Sequence, residues 1–105
     1  MVYKVDGNQK KIIIFLRKMG FTVKVVAMVD GFVDIVVGIF GLNFLCEIKD
    51  PDKPPSARKL TYLEQKFHDE WKGFSCVLLI EEDCIKLYNL ALKMKLALQG
   101  VELIL

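Results

Sequence analysis

The sequence predicts one mixed α/β domain, a sandwich with the order helix, three strands, helix, strand, helix. Three observations predict it. Apolar residues recur at helical spacing in three separated stretches, apolar and β-branched runs of strand length lie between them, and glycine or proline marks most junctions. At 105 residues and 12.0 kDa the chain, residues 1–105, fits a single domain with one core.

In the first helix Ile12, Phe15, Leu16 and Met19 share one side, and Lys10, Lys11, Arg17 and Lys18 fall on the other. Asp6 can cap it, with Gln9 three residues on, and Gly20 closes it. Phe21 to Val29 is β-branched with no helix breaker and predicts a strand, which Asp30-Gly31 turns into the next stretch. Gly31 to Asp50 then predicts two strands joined by a tight turn. Asp50 to Ser56 carries three prolines in five residues and predicts a loop. Thr61-x-x-Glu64 is a capping box for a helix from Tyr62 to Lys72, ended by Gly73, whose Leu63, Phe67 and Trp71 should face the sheet. The apolar run Phe74 to Ile80 predicts an interior strand covered on both sides. A last helix follows from Asp83 to Gln99, with Ile85, Tyr88, Leu92, Lys95 and Leu96 along one side, and Val101 to Leu105 is an edge strand or docked tail.

Composition limits the function. The longest uncharged run, Ile35 to Cys46, is twelve residues, short of the roughly 20 that cross a bilayer, so no membrane span is expected. Polar residues stand where an export signal would be apolar, so export is not expected and a cytoplasmic setting is. Cys46, Cys76 and Cys84 have no metal-type spacing and read as reduced core residues. A net charge of +2 gives no strong global pull on nucleic acid, although Lys49, Lys53, Arg58, Lys59, Lys66 and Lys72 all fall between positions 49 and 72.

The chemistry lies in the hairpin from Gly31 to Asp50, an apolar stretch that carries Asp34, Glu47 and Lys49. Charges taken out of water cost several kcal/mol unless paired or bound. If Gly41-Leu42 are the central residues of a type II′ turn, Phe40 faces Asn43, Asp34 faces Lys49 and Val36 faces Glu47. The two carboxylates then sit diagonally on one face, with Cβ atoms about 7–8 Å apart, close enough to share one ion. A three-residue loop would send Asp34 to the other face. Two carboxylates and a lysine suit Mg²⁺, which takes oxygen ligands and can activate water towards a phosphodiester. On spacing alone a structural ion pair of Asp34 with Lys49 is the other reading.

The spacing Asp34-(x)12-Glu47-Ile48-Lys49, after a helix and a strand and before a helix, resembles the PD-(D/E)XK nuclease superfamily. The phrases EIKD and KLT-x-x-E-Q-x-F-H-x-x-W are similar to small stand-alone phage nucleases of the virus-type replication-repair (VRR-NUC) group and to archaeal Holliday-junction resolvases. The likeness runs from Asp6 to about Ile80. It implies a restriction-endonuclease-like αβββαβ core with a mixed sheet flanked by helices, plus, in this chain, the C-terminal helix. It implies that Asp34 and Glu47 bind Mg²⁺ or Mn²⁺, that the Ile48 carbonyl adds a ligand, and that Lys49 positions the attacking water. Gln65 matches a glutamine the group often places near the metal. Val33 stands where the family usually has proline, and the acidic residue many relatives carry on the first helix has only Asp6, Asn8 and Gln9 as candidates. His68 reads as a packing or hydrogen-bonding residue.

The expected function is thus a Mg²⁺-dependent endodeoxyribonuclease acting on branched or four-way-junction DNA. Lys53, Arg58 and Lys59 would contact phosphates. A homodimer with paired sites would resolve a junction by shape. The rival expectation is a catalytically silent nucleic-acid-binding or assembly subunit with the same fold.

Overall fold

The computed structural model describes residues 7–99. The proposed cap Asp6 and the tail Val101 to Leu105 lie outside the described residues. The order is α1 (Gly7–Lys18), β1 (Thr22–Val25), β2 (Ile35–Ile39), β3 (Leu42–Ile48), the short α2 (Pro55–Arg58), α3 (Tyr62–Glu70), β4 (Ser75–Leu78) and α4 (Glu81–Gln99). This is a mixed α/β domain. Among the described residues four strands form one sheet in the order β1-β2-β3-β4, antiparallel across the first two pairings and parallel between β3 and β4.

Alternation along β3 decides what each sheet face does. Phe44, Cys46 and Ile48 point into the core, with Ile35 and Val37 of β2, Leu78 of β4, Ile12, Ile13 and Leu16 of α1, and Cys84, Leu87 and Ala91 of α4. Leu45, Glu47 and Lys49 therefore belong to the opposite face. That face lacks the cover of α1 and α4, and it carries the charges. Cys46 and Cys76 are directly paired across β3 and β4 with their sulfurs 3.2 Å apart, and all three cysteines are free thiols.

α1 ends in a Schellman motif, in which Gly20 at φ 102 lets Phe21 N–H donate to Leu16 O and Gly20 N–H to Arg17 O. β1 is shorter than the apolar run Phe21 to Val29. Its ladder ends at Val25, and the chain turns through Gly31 at φ 70.

The hairpin turn also differs from expectation. Ile39 pairs with Leu42, so the central residues are Phe40 and Gly41 rather than Gly41 and Leu42. Both have positive φ, 55 and 78, as a type I′ turn requires. Phe40 is an unusual occupant of that conformation. Its ring packs against Tyr88 at 5.5 Å and lies under the Lys95 ammonium at 4.8 Å, contacts that offset the local strain. The loop is still even-numbered, so the register moves by two and Asp34 stays on the face of Glu47 and Lys49.

Four further expectations change. The proline-rich stretch is not wholly irregular, since Pro54 caps and Pro55 occupies the first turn of α2, where a missing N–H does no harm. Among the described residues β4 is an edge strand rather than an interior one. α4 turns Cys84, Leu87 and Ala91 inward; of the residues read along one side, Tyr88 packs against the core while Ile85 and Leu96 are exposed. It also begins two residues early, because the Asp83 carboxylate accepts the N–H groups of Leu79 and Ile80. The capping box of α3 forms as expected, yet none of its residues is buried. Leu63 and Trp71 stay largely exposed at the rims of clefts they share with the sheet, instead of packing onto it.

Candidate active site

Asp34 is the last residue before β2, and its side chain takes over part of the ladder. Its Oδ2 accepts the Ile48 N–H at 2.7 Å, and its own N–H donates to Cys46 O. One step beyond the Ile35–Cys46 pair, Asp34 thus lies alongside Glu47 rather than opposite Lys49. The carboxylates are closer than a diagonal pairing would place them.

Glu47 is 6 % exposed. Burial, a hydrogen bond to Glu64 and the charges of Asp34 and Glu64 push its carboxyl up to about 9. At neutral pH Glu47 therefore holds a proton. Glu64 behaves in the opposite sense. Burial pushes its carboxyl up, but hydrogen bonds from Glu47, Lys49 and the Thr61 N–H outweigh this and hold it at about 2. The pair is an acid and a carboxylate sharing one hydrogen bond, with Lys49 Nζ on Glu64 Oε1 at 2.7 Å.

Glu64 thus has two duties. The same Oε1 accepts Thr61 N–H at 2.8 Å, closing the capping box while Thr61 Oγ1 accepts Glu64 N–H. The start of α3 is thereby tied to the lysine. Thr61→Ala removes one half of the box and should lower stability by about 1 kcal/mol, read in urea unfolding, with the Lys49–Glu64 pair loosened as α3 frays.

Asn8 closes the site from α1. Its Nδ2 donates to Lys49 O at 2.6 Å and Leu79 O at 3.0 Å, bridging the ends of the parallel strands β3 and β4. The Lys49 N–H donates to Leu78 O, so the main chain under the lysine is held on both sides. Asn8→Ala leaves two partly buried carbonyls without this donor. We expect a loss of about 1–3 kcal/mol in denaturant unfolding.

The other expected residues are placed as follows. Gln65 is exposed, and its Nε2 donates to Asp69 Oδ1 on the outer side of α3, so its neighbour Glu64 is the residue that reaches the lysine. Lys53, Arg58 and Lys59 follow the end of β3 in the loop and α2, with Lys53 and Lys59 exposed and Arg58 half-buried. Ile48 is buried in the core and gives its N–H to Asp34. His68 hydrogen-bonds Ser75 Oγ on β4 at 2.9 Å, and Gln9 is buried on α1. The capping motif fixed the position of Glu64. Its contact with Lys49 and Glu47 arises only where α3 crosses the sheet face.

The carboxylates open into a cavity of about 250 Å³, whose lining among the described residues includes Asp30, Asp34, Glu47 and Glu64 and no basic side chain. The donor set suits a hard cation, because a divalent charge there would let the buried Glu47 ionise. Among the described residues no three His, Cys, Asp or Glu side chains form a complete ligand set. Main-chain oxygen, water and substrate would complete the shell, as is usual for Mg²⁺. No helix among the described residues is long and apolar enough to cross a membrane. Comparison with family models, curated proteins and solved structures finds no match.

Proposed function

We propose that this protein is a metal-dependent DNA endonuclease that hydrolyses phosphodiester bonds with Mg²⁺ or Mn²⁺. The observation that carries the reading is the gathering of Asp34, Glu47 and Lys49 on one sheet face, with Glu47 buried beside Asp34. The resemblance to PD-(D/E)XK nucleases adds the substrate, branched or four-way-junction DNA; a homodimer with paired sites is the form that would resolve it by shape, and three free cysteines suit a cytoplasmic setting.

Asp34, oriented by the Ile48 N–H, and Glu47 would hold the ion, with the Ile48 carbonyl as the further ligand the resemblance implies. When bound, the ion supplies charge neutralisation at the phosphodiester and acidifies a nearby water. Lys49 orients that water and offsets charge developing on the phosphate. Glu64 keeps the ammonium at the site before substrate arrives and takes part of its charge. Lys53, Arg58 and Lys59 hold the DNA backbone through phosphate contacts.

The test is cleavage of plasmid, single-stranded and four-way-junction DNA with and without Mg²⁺. Mg²⁺-dependent cuts that disappear on adding EDTA and in Lys49→Ala are expected. Cuts that persist in Lys49→Ala would remove the mechanism. No cleavage with either metal would leave a binding or assembly subunit.

A further inference from the structure

Cys46 and Cys76 are directly paired residues of the parallel strands β3 and β4, and both pack on the core side of the sheet. The Cys76 thiol donates to Cys46 Sγ at 3.2 Å. Neighbouring strands lie about 4.8 Å apart, inside the range of about 4.4–6.8 Å between Cα atoms that a disulfide spans. The sulfurs therefore need to approach by only about 1 Å to reach bonding distance, which small side-chain adjustments supply.

The two thiols differ in access. Cys46 is fully buried, whereas Cys76 is half-buried and lines a surface cleft of about 240 Å³ beside α4. Lys86 shares that lining, where its charge offsets an anion expelled at the sulfur, and the carboxylate of Asp83, the acidic member, is taken up by the Leu79 and Ile80 N–H groups. Cys84, the third thiol, is fully buried on α4. Burial is the main cause that pushes it up to about 12, so it stays protonated and unreactive at neutral pH.

We infer that Cys76 and Cys46 form a reversible oxidation site for a hydroperoxide, in which Cys76 takes the oxidant and Cys46 closes a disulfide onto it. With hydrogen peroxide, the Cys76 sulfur attacks one peroxide oxygen. The S–O bond forms, the O–O bond breaks, and the expelled hydroxide leaves as water with the thiol proton, giving a sulfenic acid. Cys46 Sγ then attacks the Cys76 sulfur. The S–S bond forms, the S–O bond breaks, and hydroxide departs as water with the Cys46 proton. One electron pair has passed from the sulfurs to the peroxide, and a dithiol reductant returns it.

The position of the bond gives it an effect. Cys46 and Cys76 are 30 positions apart, and Glu47, Lys49 and Glu64 all lie between them. The disulfide closes that segment into a loop and fastens the edge strand β4 to β3, so the oxidised chain resists unfolding more than the reduced one. None of this depends on cleavage of DNA, because the thiols lie on the core face of the sheet and the carboxylates on the other.

The reduced full chain is treated in its native state with hydrogen peroxide and mapped by mass spectrometry without reductant. We expect free thiols to fall from three to one, a chain lighter by two hydrogens, a peptide cross-linked through Cys46 and Cys76, and full return on adding dithiothreitol. The oxidised chain should melt roughly 5–15 °C higher. Cys46→Ala, given the same peroxide, should stop at a sulfenic acid on Cys76 that dimedone traps, and Cys84→Ala should still form the bond. Mapping of the wild type decides the matter if Cys46→Ala does not fold. Thiols that all survive peroxide sufficient to oxidise free cysteine, a bond to Cys84, or an intermolecular disulfide would overturn the inference. So would an oxidised chain that melts no higher than the reduced one, since the bond would then not fasten β4.

Discussion

Glu47→Gln should abolish cleavage and stabilise the protein above neutral pH. The loss of a metal-binding carboxylate at the reacting centre is expected to lower the rate by at least about 100- to 1,000-fold. Stability should move the other way. The Glu47 carboxyl titrates near 9 in the folded chain against an ordinary value of 4.5, so the folded state holds the extra proton between those limits. Its contribution is fully present below about 4.5 and is lost as pH rises towards about 9, at up to about 1.4 kcal/mol per pH unit. Glutamine has no such titration and keeps an amide donor for Glu64. Thermal melts at pH 6, 7 and 8 should show the variant pulling ahead of the wild type as pH rises. A gap that stays constant with pH would mean that Glu47 is already ionised.

Mg²⁺ binding to the same site should be steeply pH-dependent. An ion that takes a carboxylate from the protonated Glu47 must release that proton, so its apparent affinity should rise about tenfold per pH unit below about 9. Between pH 6 and pH 8 the change is roughly 100-fold. Isothermal titration calorimetry in two buffers of different ionisation enthalpy should count about one proton released per ion at pH 7. Glu64 does not add to this slope, because its carboxyl, held at about 2, is already ionised there. Affinity independent of pH would show that the ion, if it binds, does not use Glu47. In Glu47→Gln the slope should vanish along with most of the binding.

Both effects come from a placement that the sequence only partly disclosed. Asp34, Glu47 and Lys49 were legible because side chains alternate along a strand and an even loop keeps them on one face. The loop itself was misplaced by one residue. A phenylalanine with positive φ is disfavoured locally, and it is the distant Tyr88 and Lys95 that hold Phe40 there. Glu64 was legible as a cap and not as a partner of Lys49, since capping is a relation across three residues while the ion pair spans fifteen. Asn8 is legible only as a candidate on the first helix, and the contact its Nδ2 makes across two strand ends is set by tertiary packing.

The α3 stripe failed for a related reason. Leu63, Phe67 and Trp71 repeat every four residues, and periodicity states that one side of the helix is apolar without stating what covers it. The same ambiguity affected α4, which is apolar on more than one side, and only packing selected Cys84, Leu87 and Ala91 as its inner face.

By itself the sequence determined the order of the elements apart from the short α2, the capping of α3 by Thr61 and Glu64, and the shared face of Glu47 and Lys49, all of which follow from relations between neighbours along the chain, while Asp34 joined that face on condition of an even-numbered loop. Only the tertiary structure decided the edge position of β4, the outward stand of α3, and the joining of Glu47, Glu64 and Lys49 into one proton-sharing group. Those depend on which surfaces meet when the sheet closes over its core, and that is set by packing between residues far apart in sequence.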